Sequence, residues 1–213
     1  MSTAHANERG DGGRLAGVFG DLLIRRFSVR QPEMFRVVKA VTEGRLTTID
    51  KAALCELSQT VMDLELQGLD GDLLEAGCGQ GGAAVVIAHS KRRSRNFFVH
   101  DPFAGSADAE AQARAALEAH GADERLNVTV VPGAYADTVP AEGPLALAHL
   151  DCGRYEPMKT LLERLAPRLV KGGQLVIDDY RNKEECRRAV DEYFLGKGGF
   201  RLERKSRLHA VRT

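Results

Sequence analysis

The chain has no tryptophan and only 8 phenylalanines and 4 tyrosines, so its core must be built from aliphatic side chains. It has no excess of either charge, with 30 basic against 30 acidic residues. That balance argues against a nucleic-acid partner and against an anionic membrane surface. No apolar run is long enough to span a bilayer. Residues 1–14 are polar and lack the apolar core of an export signal, which makes the cytoplasm the expected location. The four cysteines (Cys55, Cys78, Cys152, Cys186) form no Cys-x-x-Cys pair, so a thiolate zinc site is not indicated and free thiols are expected.

What is present suits one domain of 213 residues. Few apolar groups occur in residues 1–14, and a disordered tail is expected there. An N-terminal helical cap follows over 15–70. Helices are expected near 15–27 and 31–43, the second with Phe35, Val38 and Val41 on one stripe. A third helix starts from Asp50 as N-cap, carries Leu54, Leu57, Val61 and Leu64 on its apolar face, and stops near Gly68.

From residue 71 to 213 the pattern changes to short apolar strands alternating with amphipathic helices. Strands are expected at Asp72–Ala76, Asn96–Asp101, Asn127–Val131, Leu145–Asp151 and Gln174–Asp178. Helices are expected over 82–90, 107–120, 156–169 and 183–196. Such alternation means an α/β fold with a parallel sheet covered on both faces. Phe200–Glu203 and Leu208–Arg212 are joined by too few residues for a crossover helix and read as an antiparallel hairpin. A plain dinucleotide-binding fold usually lacks such a hairpin, whereas a Rossmann-like methyltransferase sheet has one.

Gly77, Gly79 and Gly81 alternate between the first strand and the next helix. Glycines there permit positive φ and close approach of a ligand to the backbone, and the helix start offers free N–H groups. By itself such a run is also compatible with a tight turn that binds nothing. Glu75 precedes the glycines, where a carboxylate suits an amino-acid ammonium. Asp101 ends the second strand, where acids hydrogen-bond ribose hydroxyls. Together these point to an adenosyl cofactor. Asp151 ends the fourth strand and Asp178-Asp179 the fifth. If those strands are neighbours, three carboxylates converge and a divalent cation such as Mg²⁺ would relieve their repulsion. The alternative is that Asp178 or Asp179 caps the next turn while Asp151 pairs with an arginine.

On these residues the sequence resembles the macrocin O-methyltransferase family of class I S-adenosylmethionine-dependent methyltransferases. The likeness spans about residues 45–195. It includes Gly71-Asp72-Leu-Leu-Glu75, Gln80-Gly-Gly82, Asp101-Pro-Phe-Ala-Gly105, Pro132-Gly133, Asp137-Thr-Val-Pro140, Leu150-Asp151, Tyr155-Glu156 and Lys171-Gly-Gly-Gln-Leu-Val-Ile-Asp-Asp-Tyr180. The resemblance implies a mainly parallel seven-stranded sheet and O-methylation of a small-molecule hydroxyl such as that of a natural-product sugar; an intrinsically acidic, catechol-like acceptor is the option opened by Gly153 at the usual base position. It implies that Glu75, Gly77, Gly79, Gly81 and Asp101 line the cofactor pocket, with Gly133 near the adenine and Thr48 approaching from the N-terminal region. It implies Asp151, Asp178 and Asp179 as metal ligands, Asp151 being the catalytic one. The family's second aspartate, its proposed general base, is here Gly153. Tyr155 and His209 are candidate substitutes for that base, and Arg154 could meet an anionic acceptor. A nicotinamide-dependent oxidoreductase and a catalytically silent methyltransferase fold are the rival readings. Met34, Phe35 and the apolar stripes before residue 68 suggest a homodimer.

Overall fold

The computed structural model describes residues 9–104 and 108–213. Three helices lead: α1 (Arg9–Arg30), α2 (Pro32–Glu43) and α3 (Lys51–Leu66). Because α1 begins at Arg9, residues 9–14 are helical instead of belonging to a tail, and residues 1–8 lie outside the described residues, as do Gly105 and the first residue of the helix expected over 107–120. Proline opens α2, where its missing N–H would have found no helical acceptor. The Asp50 side chain accepts from the Ala53 N–H at 2.9 Å and caps α3.

The sheet comprises β1 (Asp72–Ala76), β2 (Phe97–Asp101), β3 (Val128–Pro132), β4 (Leu145–Leu150), β5 (Leu169–Ile177), β6 (Phe200–Arg204) and β7 (Leu208–Arg212). Their order is β3-β2-β1-β4-β5-β7-β6. The first five strands are parallel, while β7 runs antiparallel to both β5 and β6. Connecting helices are α4 (Gly82–Ser90), α5 (Ala109–Ala119), the single turn α6 (Tyr135–Thr138), α7 (Tyr155–Leu165) and α8 (Glu184–Phe194). The direction of winding reverses between β1 and β4. In open α/β sheets the crevice beyond such a reversal takes the ligand.

Every residue of β4 is buried, as befits a strand covered on both faces. One face packs against the leading helices and α4: Val38, Leu54, Leu57 and Val61 meet Val85, Val86 and Ile87 in one cluster. On the other, α7 and α8 contribute Met158, Leu161, Leu162 and Val190. The leading helices are thus a wall of the main core. Met34 and Phe35 pack against that cluster, while Phe19, Leu22 and Val29 stand exposed on α1.

The fifth strand departs from its expected limits. It starts at Leu169, and α7 ends at Leu165 instead of running to 169. Leu169 pairs with Leu145, but the next partners are Gln174 and Leu147, so the strand bulges between them. Gly172 takes a φ of +85° in that bulge, a conformation that favours glycine. The polar Lys171-Gly-Gly stretch masks the strand from a hydrophobicity reading. No helix of the described residues is long and apolar enough to cross a membrane.

Candidate active site

At Gly77 the glycine loop meets the main chain of Asp151, the residue that follows β4. Gly77, Gly79 and Gly81 have φ values of +92°, +53° and +90°. A Cβ on Gly77 would fall 2.1 Å from the Asp151 carbonyl oxygen, so no other residue fits there. Gly79, by contrast, has open space on its Cβ side, where a ligand can approach the backbone. The loop between α2 and α3 crosses the start of α4: Gly82 N–H donates to the Leu46 carbonyl at 2.9 Å. Thr48 is exposed in that loop. Gly133 follows β3, and its N–H donates to the Asp101 carbonyl at 3.0 Å.

Asp101 holds this loop in shape. Its Oδ2 accepts from Cys78 N–H at 2.8 Å and Gly79 N–H at 3.1 Å, and its Oδ1 from Phe103 N–H at 2.7 Å. A carboxylate has about four acceptor sites, so one remains for a ribose hydroxyl. Sequence reasoning foresaw a ligand-binding acid here and missed its work as a loop anchor.

Glu75 is fully buried on β1. Its partner is His149 on β4, directly opposite in register, with Nδ1 2.9 Å from Oε1. Burial raises the Glu75 carboxyl above its usual range, with His149 opposing. For His149 burial works against the charged ring, but the carboxylates of Glu75, Asp151 and Asp178 together outweigh it and the ring is held above its ordinary value. The other carboxylate oxygen, Oε2, is buried without a hydrogen-bond partner among the described residues. An unmet acceptor of this kind is costly, and a donor from a cofactor ammonium would satisfy it. His149 was not singled out from the sequence. The signal was there: it lies two residues before Asp151, and side chains two apart share a face of a strand.

Asp151, Asp178 and Asp179 each bring a carboxylate oxygen within 4.8 Å of the others, because β4 and β5 are adjacent and end together. Burial pushes the Asp151 carboxyl up to about 7; His149 opposes, and Asp178, Asp179 and Glu75 add to the rise. Asp179 is also raised by burial and by Asp178, against Lys183 and Arg207. Oxygen donors converging in this way fit a hard divalent cation. The three acids are not all unpaired, however. Asp178 is ion-paired to the Arg207 guanidinium, whose other side reaches Asp50 Oδ2 at 3.1 Å. An arginine was expected to pair with Asp151; the ion pair found in the cluster is instead Arg207 with Asp178.

Neither proposed substitute for the general base is free. The Tyr155 hydroxyl donates to Glu192 on α8, and Arg188 stacks on its ring. His209 is buried between Gln174 and Glu56, at 2.9 and 3.0 Å. Arg154 is exposed. At Gly153 itself the room is taken: a Cβ there would lie 2.9 Å from Asp179 Oδ2 and 3.0 Å from Lys183 Cγ. All four cysteines are free thiols.

Comparison with known proteins accords with this geometry. The family model described as Macrocin-O-methyltransferase (TylF) matches residues 44–130 and 109–198. A curated relative from Streptomyces olivaceus, 8-demethyl-8-(2,3-dimethoxy-alpha-L-rhamnosyl)-tetracenomycin-C 4'-O-methyltransferase, is 34% identical, over 69% of this chain and 67% of its own length. The structure of the O-methyltransferase NovP superposes with a TM-score of 0.62 at 27% identity, covering 78% of this chain and 82% of NovP. The SAH-bound methyltransferase PaMTH1 of Podospora anserina shares the fold over 100% of this chain and 98% of its own, with a TM-score of 0.63 at 15% identity. With the family matched across both the glycine loop and the aspartate cluster, the nicotinamide reading falls away: the chain belongs to the macrocin O-methyltransferase family and is an S-adenosylmethionine-dependent O-methyltransferase.

Proposed function

We propose that the chain methylates a hydroxyl of a sugar-bearing natural product, assisted by a divalent cation held by Asp151, Asp178 and Asp179. The observation that carries the metal reading is the convergence of three carboxylate oxygens within 4.8 Å at the cofactor edge of the sheet. The acceptor class is supported by the Streptomyces olivaceus relative, which is named for a 4'-O-methylation on a rhamnosyl compound. Bound there, Mg²⁺ would act as a Lewis acid that lowers the pKa of the acceptor hydroxyl.

The remaining work falls to the chain. The Gly77–Gly81 loop seats the amino-acid end of S-adenosylmethionine, Glu75 Oε2 takes a donor from it, and Asp101 takes a ribose hydroxyl on its spare acceptor site. Gly133 and Thr48 border the same pocket. The acceptor oxygen then attacks the methyl carbon in line with the sulfur: an O–C bond forms, the C–S bond breaks, and S-adenosylhomocysteine leaves. Alignment of those three atoms supplies most of the catalysis. The hydroxyl proton needs an acceptor, and Gly153 offers none. Without a cation beside it, the Asp151 carboxyl is pushed up to about 7, which suits it to take that proton. That same value, together with the Arg207 ion pair on Asp178, favours a second reading in which Asp151 acts as base without a metal. Turnover of a rhamnosylated acceptor with labelled S-adenosylmethionine tests both. The metal reading expects EDTA and Asp178→Asn to abolish turnover while S-adenosylhomocysteine affinity stays within about threefold. Turnover unaffected by EDTA overturns it.

A further inference from the structure

The aspartate cluster brings its own counter-charge. Arg207 sits in the turn between β6 and β7, 29 residues from Asp178 in sequence, yet its Nε donates to Asp178 Oδ1. Both side chains are largely buried, at 15% and 9% exposure. Its Nη2 donates to Asp50 Oδ2 at 3.1 Å, and Nη1 to the Ser206 carbonyl at 3.2 Å. The guanidinium is therefore gripped from three directions, with one edge on a residue of the cluster. A planar, permanently charged fork suits that role better than an ammonium. Around Asp179 the stem of Lys183 fills the space beside Gly153. A cleft of about 760 Å³ between α1, the start of α3 and the β6–β7 turn has Arg207 in its lining.

We propose that Arg207 is a resident cation of the Asp151, Asp178 and Asp179 cluster and competes with a divalent cation for Asp178. The inference rests on the metal reading above and goes beyond it. An arginine on a ligand carboxylate occupies a lone pair of one of its oxygens and places a positive charge beside the incoming ion. Coulomb repulsion at such range is appreciable beside the buried Asp178 carboxylate. In return, the metal-free cluster is partly neutralised. Metal entry requires Arg207 to let go of Asp178, and the Asp50 tether then carries the change to the N-terminus of α3.

Mn²⁺ binding to the full chain, followed by calorimetry and by the paramagnetic resonance of the free ion, tests this without reference to turnover. Arg207→Gln should bind Mn²⁺ at least about tenfold more tightly than wild type, because the substitution removes a unit positive charge from beside a divalent cation. Arg207→Lys should fall between them, and it carries the comparison if the glutamine variant does not fold. The gain should vanish when Asp178→Asn is added. Metal-free Arg207→Gln should melt below wild type, and Mn²⁺ should close that gap. Affinity unchanged or weakened in both Arg207 variants overturns the competition, as does a gain that survives Asp178→Asn. If no variant binds Mn²⁺ at millimolar concentration while S-adenosylhomocysteine still binds, competition and metal site fall together and the methyltransferase assignment stands.

Discussion

Replacing Asp101 by asparagine keeps the shape and removes the charge. In the wild type one carboxylate serves three backbone donors, Cys78 and Gly79 on Oδ2 and Phe103 on Oδ1. An amide has one oxygen. If it faces Cys78 and Gly79, its NH₂ confronts the Phe103 N–H; turned the other way, it confronts both loop donors. At least one bond is lost, and those that remain lose charge assistance, which is about half their strength. Hydrogen bonds to charged groups contribute about 1.5–3 kcal/mol each, and the lower end suits a half-buried site. Asp101→Asn should therefore destabilise the ligand-free protein by about 2–3 kcal/mol. For a chain of this size that lowers the melting temperature by roughly 4–12 °C. S-adenosylhomocysteine affinity should fall by about tenfold or more, because the loop and the ribose acceptor are both impaired. Thermal melts without ligand and calorimetric titration with it separate the two effects. A ligand-free melt identical to wild type would refute the anchoring role and leave Asp101 a ribose ligand alone.

Other outcomes follow from the same geometry. Burial holds the His100 ring down to about 4, with Arg168 adding to the effect, whereas the unfolded chain protonates near 6.5. Stability is thus full above pH 6.5 and lost as pH falls toward 4, by about 3 kcal/mol in all; His100→Asn should flatten that part of a pH series of urea melts, and an unchanged slope would contradict it. Restoring the family's aspartate with Gly153→Asp should not raise turnover and should lower stability by about 1–3 kcal/mol, since Asp179 and Lys183 fill the space. A more active variant with an unchanged melt would show that the space can be cleared. With Phe19, Leu22 and Val29 exposed on α1, light scattering at micromolar concentration should return the mass of two chains, and a monomer mass would count against pairing through these helices.

Most of the scaffold was legible because its signals are local. Alternation of apolar strands and helices located the parallel strands, the short link before β7 identified the hairpin, and Asp50 marked the start of α3. The glycines and acids at strand ends drew attention to the right edge of the sheet. Contacts set by tertiary packing were illegible. Arg207 reaches Asp178 across 29 residues and Asp50 across 157, and no spacing rule connects them. Tyr155 and His209 looked available because nothing near them in sequence announces Glu192 or Glu56 as partners. The start of β5 was hidden because a bulge built on glycines reads as a turn.

The contact between Gly77 and Asp151 has a consequence for how such an enzyme changes its acceptor. Main chain meets main chain there, at the separation between the glycine loop and the acid proposed to face the acceptor. That spacing is fixed by the peptide backbone and the parallel register of β1 on β4, so it cannot be retuned by choosing another rotamer or a longer side chain. Selection for a new acceptor should therefore leave residues 75–81 and Asp151 untouched and collect its substitutions in the 152–155 loop, in α1 and in the β6–β7 turn. Those elements carry side chains that can change without moving the main-chain contact between Gly77 and Asp151.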